Sequence, residues 1–187
     1  MKVAFAMIVF EGDFVLRQCL EQIYPHASQI LIAEGPVTYW QEQGRTTSTD
    51  LTNSTLEHFP DPENKIKIVH GQFKGKDEQC NAYMKHLSSD ADFLWMVDSD
   101  EIYKTQDIEA TFDFLKEVSP TSVGIRSCSF FGGFDDYLTG FEQNADNFIR
   151  IFKVTPGSKW VTHRPPTMGH PINIEKKHIN SEFFLAL

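Results

Sequence analysis

Apolar and polar residues alternate in blocks along the chain, and the blocks predict strands and helices in turn. Residues 1–10 (MKVAFAMIVF) are apolar nearly throughout, the pattern of a strand covered on both faces in a parallel sheet. Shorter apolar runs follow at residues 29–33, 65–70 and 93–97. The opening run is too short to span a membrane and lacks a signal-peptide cleavage site, so it is expected to be a buried strand.

Helical periodicity fills the gaps between these runs, because apolar residues recur there every three or four positions. Helices are predicted at residues 13–24, 50–59, 76–87 and 107–118, a polar loop at 37–49, and a β-rich part at 122–131 and 147–154. Strands and helices that alternate in this way build a mostly parallel sheet with helices on both faces. The predicted class is α/β with a β-rich C-terminal part.

Length and charge limit the classes of protein to consider. A chain of 187 residues is the size of one domain, and it buries a core without disulfides or structural metals. The formal net charge of -9 disfavours a nucleic-acid partner, because phosphate neutralisation requires a basic surface. The three cysteines lie far apart without CxxC spacing, so neither a disulfide framework nor a zinc site is indicated. A cytoplasmic location is expected.

Three carboxylates follow the fourth predicted strand. Asp98, Asp100 and Glu101 lie close together, with Ser99 between the two aspartates. In an open α/β sheet, ligands bind outside the carboxyl ends of the strands. Crowded carboxylates repel one another unless a cation compensates, and magnesium or manganese is bound by one or two carboxylates plus substrate phosphates. The spacing therefore predicts a divalent metal held by Asp98 and Asp100 beside a diphosphate.

A helix N-terminus is the structural alternative for this acidic cluster, since Asp and Glu are favoured in a cap and a first turn. A cap alone does not need both Asp98 and Asp100, which favours the metal interpretation. Under the cap interpretation a helix would begin at the cluster itself.

Two stretches resemble family 2 glycosyltransferases. AMIVFEGDFVLRQCLEQIYPHASQILIAEGP looks like that family's opening strand, helix and second strand, and KDEQCNAYMKHLSSDADFLWMVDSDEIY resembles its Asn-containing helix and the strand that bears the DXD motif. The resemblance covers residues 3–103 and extends weakly to 150–163. It implies a GT-A-like fold in one domain, 1–187, with a nucleotide-sugar-binding half at 1–103 and an acceptor-side half at 104–187.

The resemblance also implies residues that bind the nucleotide-sugar donor. Glu34 matches the acidic residue that closes the family's second strand and contacts the base or ribose; a solvated strand end is its alternative. Asp50 stands in a Ser-Thr-Asp element like the family's, although residues 37–45 intervene as an insertion, and a helix cap is its alternative. Asp98 and Ser99 belong to the same donor-binding set.

A predicted helix carries two further donor-binding candidates. Lys76 would meet a phosphate as a point charge, and Asn81 matches the family's Asn. Where the family often has Arg directly before this Asn, the chain has Cys80. Because Cys80 lies on the apolar stripe of the helix, it is expected in the core rather than in catalysis.

Candidates for a third metal ligand and for the catalytic base lie further along. The run WVTH, which ends at His163, resembles the family segment that returns to the metal site, and imidazole suits manganese-like ions; a packed or surface histidine is the alternative. The family often has Glu next, but this chain has Arg164. An inverting transfer needs a carboxylate to deprotonate the acceptor hydroxyl, so Asp135 and Asp136 in the turn FFGGFDDYLTG are the predicted base, with a plain loop as the alternative.

The expected activity is metal-dependent transfer of a sugar from a nucleoside diphosphate to a hydroxyl of a glycan, lipid or protein, with inversion implied by the resemblance. The alternatives are a catalytically silent binding module and a sugar nucleotidyltransferase, which carries a Gly-rich phosphate loop after its first strand where this chain has only Gly12. An Asp-x-Asp phosphatase is disfavoured because its motif lies on the first strand. The apolar end FFLAL is typical of a chain that stops inside a longer one.

Overall fold

Six strands form one sheet in the computed structural model, which describes residues 1–126, 130, 148–163 and 167–169. The sheet has the strand order β3-β2-β1-β4-β6-β5. Its strands are β1 (Val3–Val9), β2 (Gln29–Glu34), β3 (Ile66–His70), β4 (Phe93–Met96), β5 (Ser122–Ile125) and β6 (Phe148–Lys153). A separate two-stranded sheet pairs β7 (Lys159–Thr162) with β8 (Thr167–Gly169).

Strands β1 to β4 run parallel, as the sequence predicts. The register places Ala6 of β1 between Leu31 of β2 and Met96 of β4. Strand β6 is antiparallel to both β4 and β5. A mostly parallel, Rossmann-like sheet with a β-rich C-terminal part is therefore confirmed.

Five helices connect the strands of the described residues. They are α1 (Leu16–Ile23), α2 (Thr38–Gln41), α3 (Thr52–His58), α4 (Lys76–Met84) and α5 (Thr105–Val118). Helix α2 lies in the predicted polar loop and was missed, because one helical turn is too short to show a periodicity. In the described part of the chain, no helix combines the length and apolar character needed to cross a membrane.

The sheet is buried on both faces because the side chains of β1 alternate between two cores. Phe5 and Met7 pack with apolar residues of α1, α3 and α5. Ala4 and Ala6 face the other way and pack with α4 and the β7–β8 pair. These cores fix where β1 and β4 end, and the chain leaves both strands at the same edge of the sheet.

Candidate functional site

A pocket of about 410 Å³ opens at the carboxyl ends of β1 and β4. Because β2 and β4 flank β1 on opposite sides, this edge is the topological switch point at which open α/β sheets bind ligands. Its wall comes from the segments that follow β1, β2 and β4 and from the start of α4. The lining includes Phe10, Glu11, Gly12, Trp40, Lys76, Gln79, Asp98, Ser99 and Asp100. We refer to it as the β1–β4 pocket.

The acidic segment that the sequence singles out lines this pocket. The backbone N–H of Glu101 donates to the carbonyl oxygen of Asp98 at 3.1 Å, which closes a turn. Helix α5 begins only at Thr105, so the helix-cap alternative for Asp98 and Asp100 is wrong. Asp100 is exposed, and no residue in the described ranges forms an ion pair with it.

Arg150 of β6 neutralises the other two carboxylates. Its Nη2 donates to Asp98 Oδ2 at 2.7 Å and also to Glu101 Oε1, while only 13% of the Arg150 side chain is exposed. The Tyr103 hydroxyl donates to Glu101 Oε2 at 2.6 Å. Burial raises the pKa of Glu101, and the charge of Arg150 opposes that rise. Asp100 therefore lines the pocket as the acidic residue of this segment whose charge no described residue compensates.

A divalent cation fits these residues as a two-carboxylate site. Among the described residues, no three His, Cys, Asp or Glu side chains are grouped closely enough to hold a metal, so Asp98, Asp100 and His163 do not form a three-ligand site. Magnesium-like ions commonly take only one or two protein carboxylates and complete their shell with phosphate oxygens and water. Asp100 and the second carboxylate oxygen of Asp98 suit that mode, and metal binding by either remains a prediction.

His163 lies in the core beside α4 rather than in the lining of the pocket. Its backbone N–H donates to Asp77 Oδ1, and its Nδ1 is 3.7 Å from Cys80 Sγ. Burial raises the pKa of the Cys80 thiol to about 12, so Cys80 is a buried neutral group, as the sequence predicts. The role of His163 as a metal ligand stays a prediction.

Asn81 joins α4 to β7. Its Nδ2 donates to the Trp160 carbonyl at 3.0 Å, and its Oδ1 accepts the Trp160 N–H at 2.9 Å. The side-chain amide therefore mimics a peptide group in a sheet ladder. Lys76, at the first position of the same helix, does line the β1–β4 pocket and is exposed there. Of these two predicted donor-binding residues, the structure brings only Lys76 to the pocket.

Glu34 is buried and has partners for both carboxylate oxygens. The Ser48 hydroxyl donates to Oε1 at 2.7 Å, and His70 Nδ1 lies 3.0 Å from Oε2. The residue is 4% exposed and lines a second pocket of about 500 Å³ between the ends of β2 and β3. Nucleotide contact by Glu34 stays a prediction, but its carboxylate does not line the pocket that contains the acidic segment.

The segment that contains the Ser-Thr-Asp element fastens the loop after β1. Three consecutive backbone N–H groups, those of residues 11 to 13, donate to Ser48 Oγ at 3.0 Å, Thr52 Oγ1 at 2.8 Å and Asp50 Oδ2 at 3.2 Å. Asp50 Oδ1 also accepts the N–H of Thr52 at 3.0 Å, where α3 begins. The N-cap of α3 is Leu51, without a side-chain cap bond, so Asp50 ties the loop after β1 to the turn before α3 rather than capping the helix. Its contact with a nucleotide stays a prediction.

A cluster that the sequence analysis missed stands at the mouth of the β1–β4 pocket. Arg45 Nη2 is 2.9 Å from Glu11 Oε1, and the guanidinium lies 4.6 Å from the Trp40 ring centroid and 5.3 Å from that of Phe10. Burial alone would raise the pKa of Glu11, but hydrogen bonds from Arg45 and Thr49 hold it below its usual value. The only signal in the sequence is the position of Phe10 and Glu11 at the carboxyl end of the first strand.

The close approach of the loop after β1 to the acidic segment makes Gly12 testable. A Cβ at this position would lie 2.6 Å from Val9 Cγ2 and 2.7 Å from Ser99 Oγ, so Gly12→Ala should displace Ser99 and cost about 1–3 kcal/mol of stability, as overpacking does. Thermal unfolding measures the loss. Gly75→Ser is the matched control, because nothing but its chain neighbours lies within 4 Å of an added Cβ and serine is as favourable as glycine at the N-cap of α4, which Gly75 occupies. Equal melting temperatures for the two variants would refute the predicted crowding.

The predicted catalytic base cannot be placed at this site. Asp135 and Asp136 lie outside the described residues, as does Arg164. Their roles remain predictions from the sequence.

Comparison with known families agrees with this fold. The model described as "Glycosyl transferase family 2" matches residues 46–170, more than half of the chain. The chain therefore belongs to glycosyl transferase family 2. No curated protein sequence matches it at a significant level.

Solved structures of S. aureus TarS share the fold at low sequence identity. The crystal structures of S. aureus TarS 1-349, alone and in complex with UDP-GlcNAc, are both 16% identical to the chain over 71% of its length, with TM-scores of 0.51 and 0.52. Glucosyl-3-phosphoglycerate synthase from Mycobacterium tuberculosis, in complex with Mn2+ and UDP-glucose, is 14% identical over 71%, with a TM-score of 0.48. The matches cover 37%, 36% and 44% of those chains, so the protein described here spans less than half of their length.

Proposed function

We propose that the chain binds a nucleoside-diphosphate sugar in the β1–β4 pocket and transfers the sugar to an acceptor hydroxyl, with a divalent cation at Asp100. The observation that carries this proposal is the distribution of charge after β4. Arg150 compensates Asp98 and Glu101, whereas Asp100 extends its carboxylate to the pocket without a described cationic partner. The uncompensated charge is what a hard cation requires.

The charges of the pocket explain why a cation is needed. Among the described lining residues Lys76 is the one cationic side chain, and Glu11, Asp98 and Asp100 line the same pocket. A diphosphate would add negative charge to this set, so Lys76 alone does not balance it. When bound, a divalent cation would offset the charge that grows on the departing diphosphate. Lys76 would orient the diphosphate through a point-charge contact.

The acceptor side of the proposed reaction rests on the sequence. The family resemblance implies an inverting mechanism, and such a mechanism needs a carboxylate base. Asp135 and Asp136 are the residues proposed for this base. Asp98 and Ser99 would contact the sugar or the ribose from the segment after β4. The acceptor itself is a glycan, lipid or protein hydroxyl in this proposal.

The bonding of the loop after β1 weighs against a nucleotidyltransferase. Such an enzyme uses the backbone N–H groups of a Gly-rich loop after the first strand to hold phosphates. Here the three N–H groups of residues 11 to 13 already donate to Ser48, Thr52 and Asp50. In the proposed glycosyltransferase the phosphates are therefore bound by the cation and Lys76. The TarS complex with UDP-GlcNAc supports the same class of donor.

Thermal unfolding with nucleotides tests the donor site. We expect UDP or GDP with Mn²⁺ or Mg²⁺ to raise the melting temperature by about 5–10 °C at a hundredfold excess over Kd, because a ligand that binds only the folded chain stabilises it. Without the metal the shift should vanish, and ATP with the metal should shift it less. Equal shifts from every nucleotide, irrespective of metal, would contradict a specific donor site.

A catalytically silent donor-binding module remains the second candidate, favoured by one observation. The ion pair with Arg150 occupies one carboxylate oxygen of Asp98, so fewer acidic oxygens are left in the pocket to bind a metal. Incubation with a sugar-radiolabelled UDP-sugar distinguishes the two. Release or transfer of the labelled sugar identifies an enzyme, and metal-dependent binding without turnover identifies the module.

A further inference from the structure

We propose that Trp40, within the insertion between β2 and α3, is the surface on which the nucleobase of the donor stacks. This inference rests on the proposed function, because it assigns a part of the same pocket. Trp40 lines the β1–β4 pocket and is half-buried, whereas Trp95 and Trp160, the other two tryptophans, are 1% and 3% exposed in the core. A planar ring that is partly open to a pocket offers a stacking face to any base.

The surroundings of Trp40 hold its ring in place before a ligand arrives. Arg45 lies over the ring and is itself anchored by its ion pair with Glu11. Gln41 fastens the short helix to the segments that follow β2 and β3, since its Nε2 donates to the carbonyls of Pro36 and Phe73, both at 2.9 Å. A ring that is already ordered loses little conformational entropy on binding, and such preorganisation favours affinity.

The pocket lining combines aromatic and charged side chains, the two kinds of group that suit the base and the phosphates of a nucleoside diphosphate. Phe10 and Trp40, whose ring centroids are 6.2 Å apart, line it together with Asp100 and Lys76. Glu34, which the family resemblance assigns to the base, is 4% exposed and bonded to Ser48 and His70 at the other pocket. The base is therefore placed on the insertion rather than on Glu34.

The test measures binding of two probes with Mg²⁺, UDP and pyrophosphate, to Trp40→Ala, Trp40→Phe and the unchanged chain. Trp40→Ala should weaken UDP binding by roughly tenfold to a hundredfold, the range measured for single base–aromatic stacks, and leave pyrophosphate binding unchanged. Trp40→Phe keeps a stacking ring and should lose less. UDP should quench tryptophan fluorescence in the unchanged chain, and the quenching should disappear in Trp40→Phe.

Leu51→Ala is the control, since Leu51 lies in the same stretch between β2 and α3, is 66% exposed and does not line the pocket. Its UDP affinity should equal that of the unchanged chain. If UDP and pyrophosphate bind but Trp40→Ala affects neither, the stacking proposal is overturned while the diphosphate site stands. If neither UDP nor pyrophosphate binds the folded chain, the donor site itself is overturned, and the role of Trp40 with it.

Discussion

Asp100→Asn is expected to abolish metal-dependent donor binding while leaving the fold intact. The variant keeps the shape and one carbonyl oxygen but loses the charge that a hard cation requires. Residues that merely support metal ligands cost ten- to a hundredfold in affinity when changed, so loss of a direct ligand should cost at least about a hundredfold, or about 2.7 kcal/mol. Calorimetric titration of UDP in the presence of Mn²⁺ measures the loss.

The stability of the same variant separates a ligand from a structural residue. Asp100 is exposed and belongs to a crowded acidic segment, so its unfolding free energy should hold within about 0.5 kcal/mol or rise slightly as repulsion is relieved. Asp113→Asn is the control, because Asp113 lies on the exposed face of α5 and pairs only with Lys116 among the described residues. Donor binding that survives in Asp100→Asn would remove Asp100 from the proposed site.

Arg150→Met is expected to cost the fold about 3–5 kcal/mol, because it strands two partly buried carboxylates without their cation. In a chain of this size that loss lowers the melting temperature by about 6–20 °C. Arg17→Met is the control: Arg17 makes an exposed i,i+4 pair with Glu21, and such pairs contribute a few tenths of a kcal/mol. Thermal and urea unfolding of both variants measure the contrast, and equal losses would contradict the prediction.

The stability that Arg150→Met loses should depend on pH because of the carboxyl group of Glu101. Burial already raises the pKa of this carboxyl, and without Arg150 the pKa should rise further. A group whose pKa is higher in the folded than in the unfolded chain contributes stability at low pH and loses it as the pH passes the folded pKa. The deficit of the variant should therefore be smaller at about pH 5 than at about pH 8. A deficit independent of pH would show that Glu101 does not respond to Arg150.

The central sheet could be predicted because burial on both faces leaves uninterrupted apolar runs. Residues 93–97 show this, and Phe93–Met96 forms the strand that delivers Asp98 and Asp100 to the pocket. The rule that ligands bind at the carboxyl ends of parallel strands needs only strand order and direction. For this reason the acidic segment and Lys76 line the β1–β4 pocket, at the edge of the sheet where a ligand was expected.

The hydrogen-bond and ion-pair partners of the polar site residues could not be predicted, because they depend on the register between segments that are distant in the sequence. Arg150 meets Asp98 only because Ile151 pairs with Trp95, which places the preceding residue of β6, Arg150, at the carboxyl end of β4. A lone arginine within the apolar run FIRIFK was the available signal, since a charge in such a strand requires a partner. Glu34 and Asn81 were selected by matching a family pattern, which does not show that their hydrogen bonds serve the scaffold.

The central position of β1 constrains how the chain can fold as it is synthesised. Strand β1 is synthesised before the other described strands, yet one of its edges pairs with β4, whose partner residues 93 to 96 follow ninety positions later. At typical elongation rates that interval is on the order of ten seconds. Throughout it, one edge of an almost wholly apolar strand has no native partner and is open to pairing with other chains. Slower translation before β4 should therefore lower the soluble yield, and chaperones that cover apolar segments should restore it.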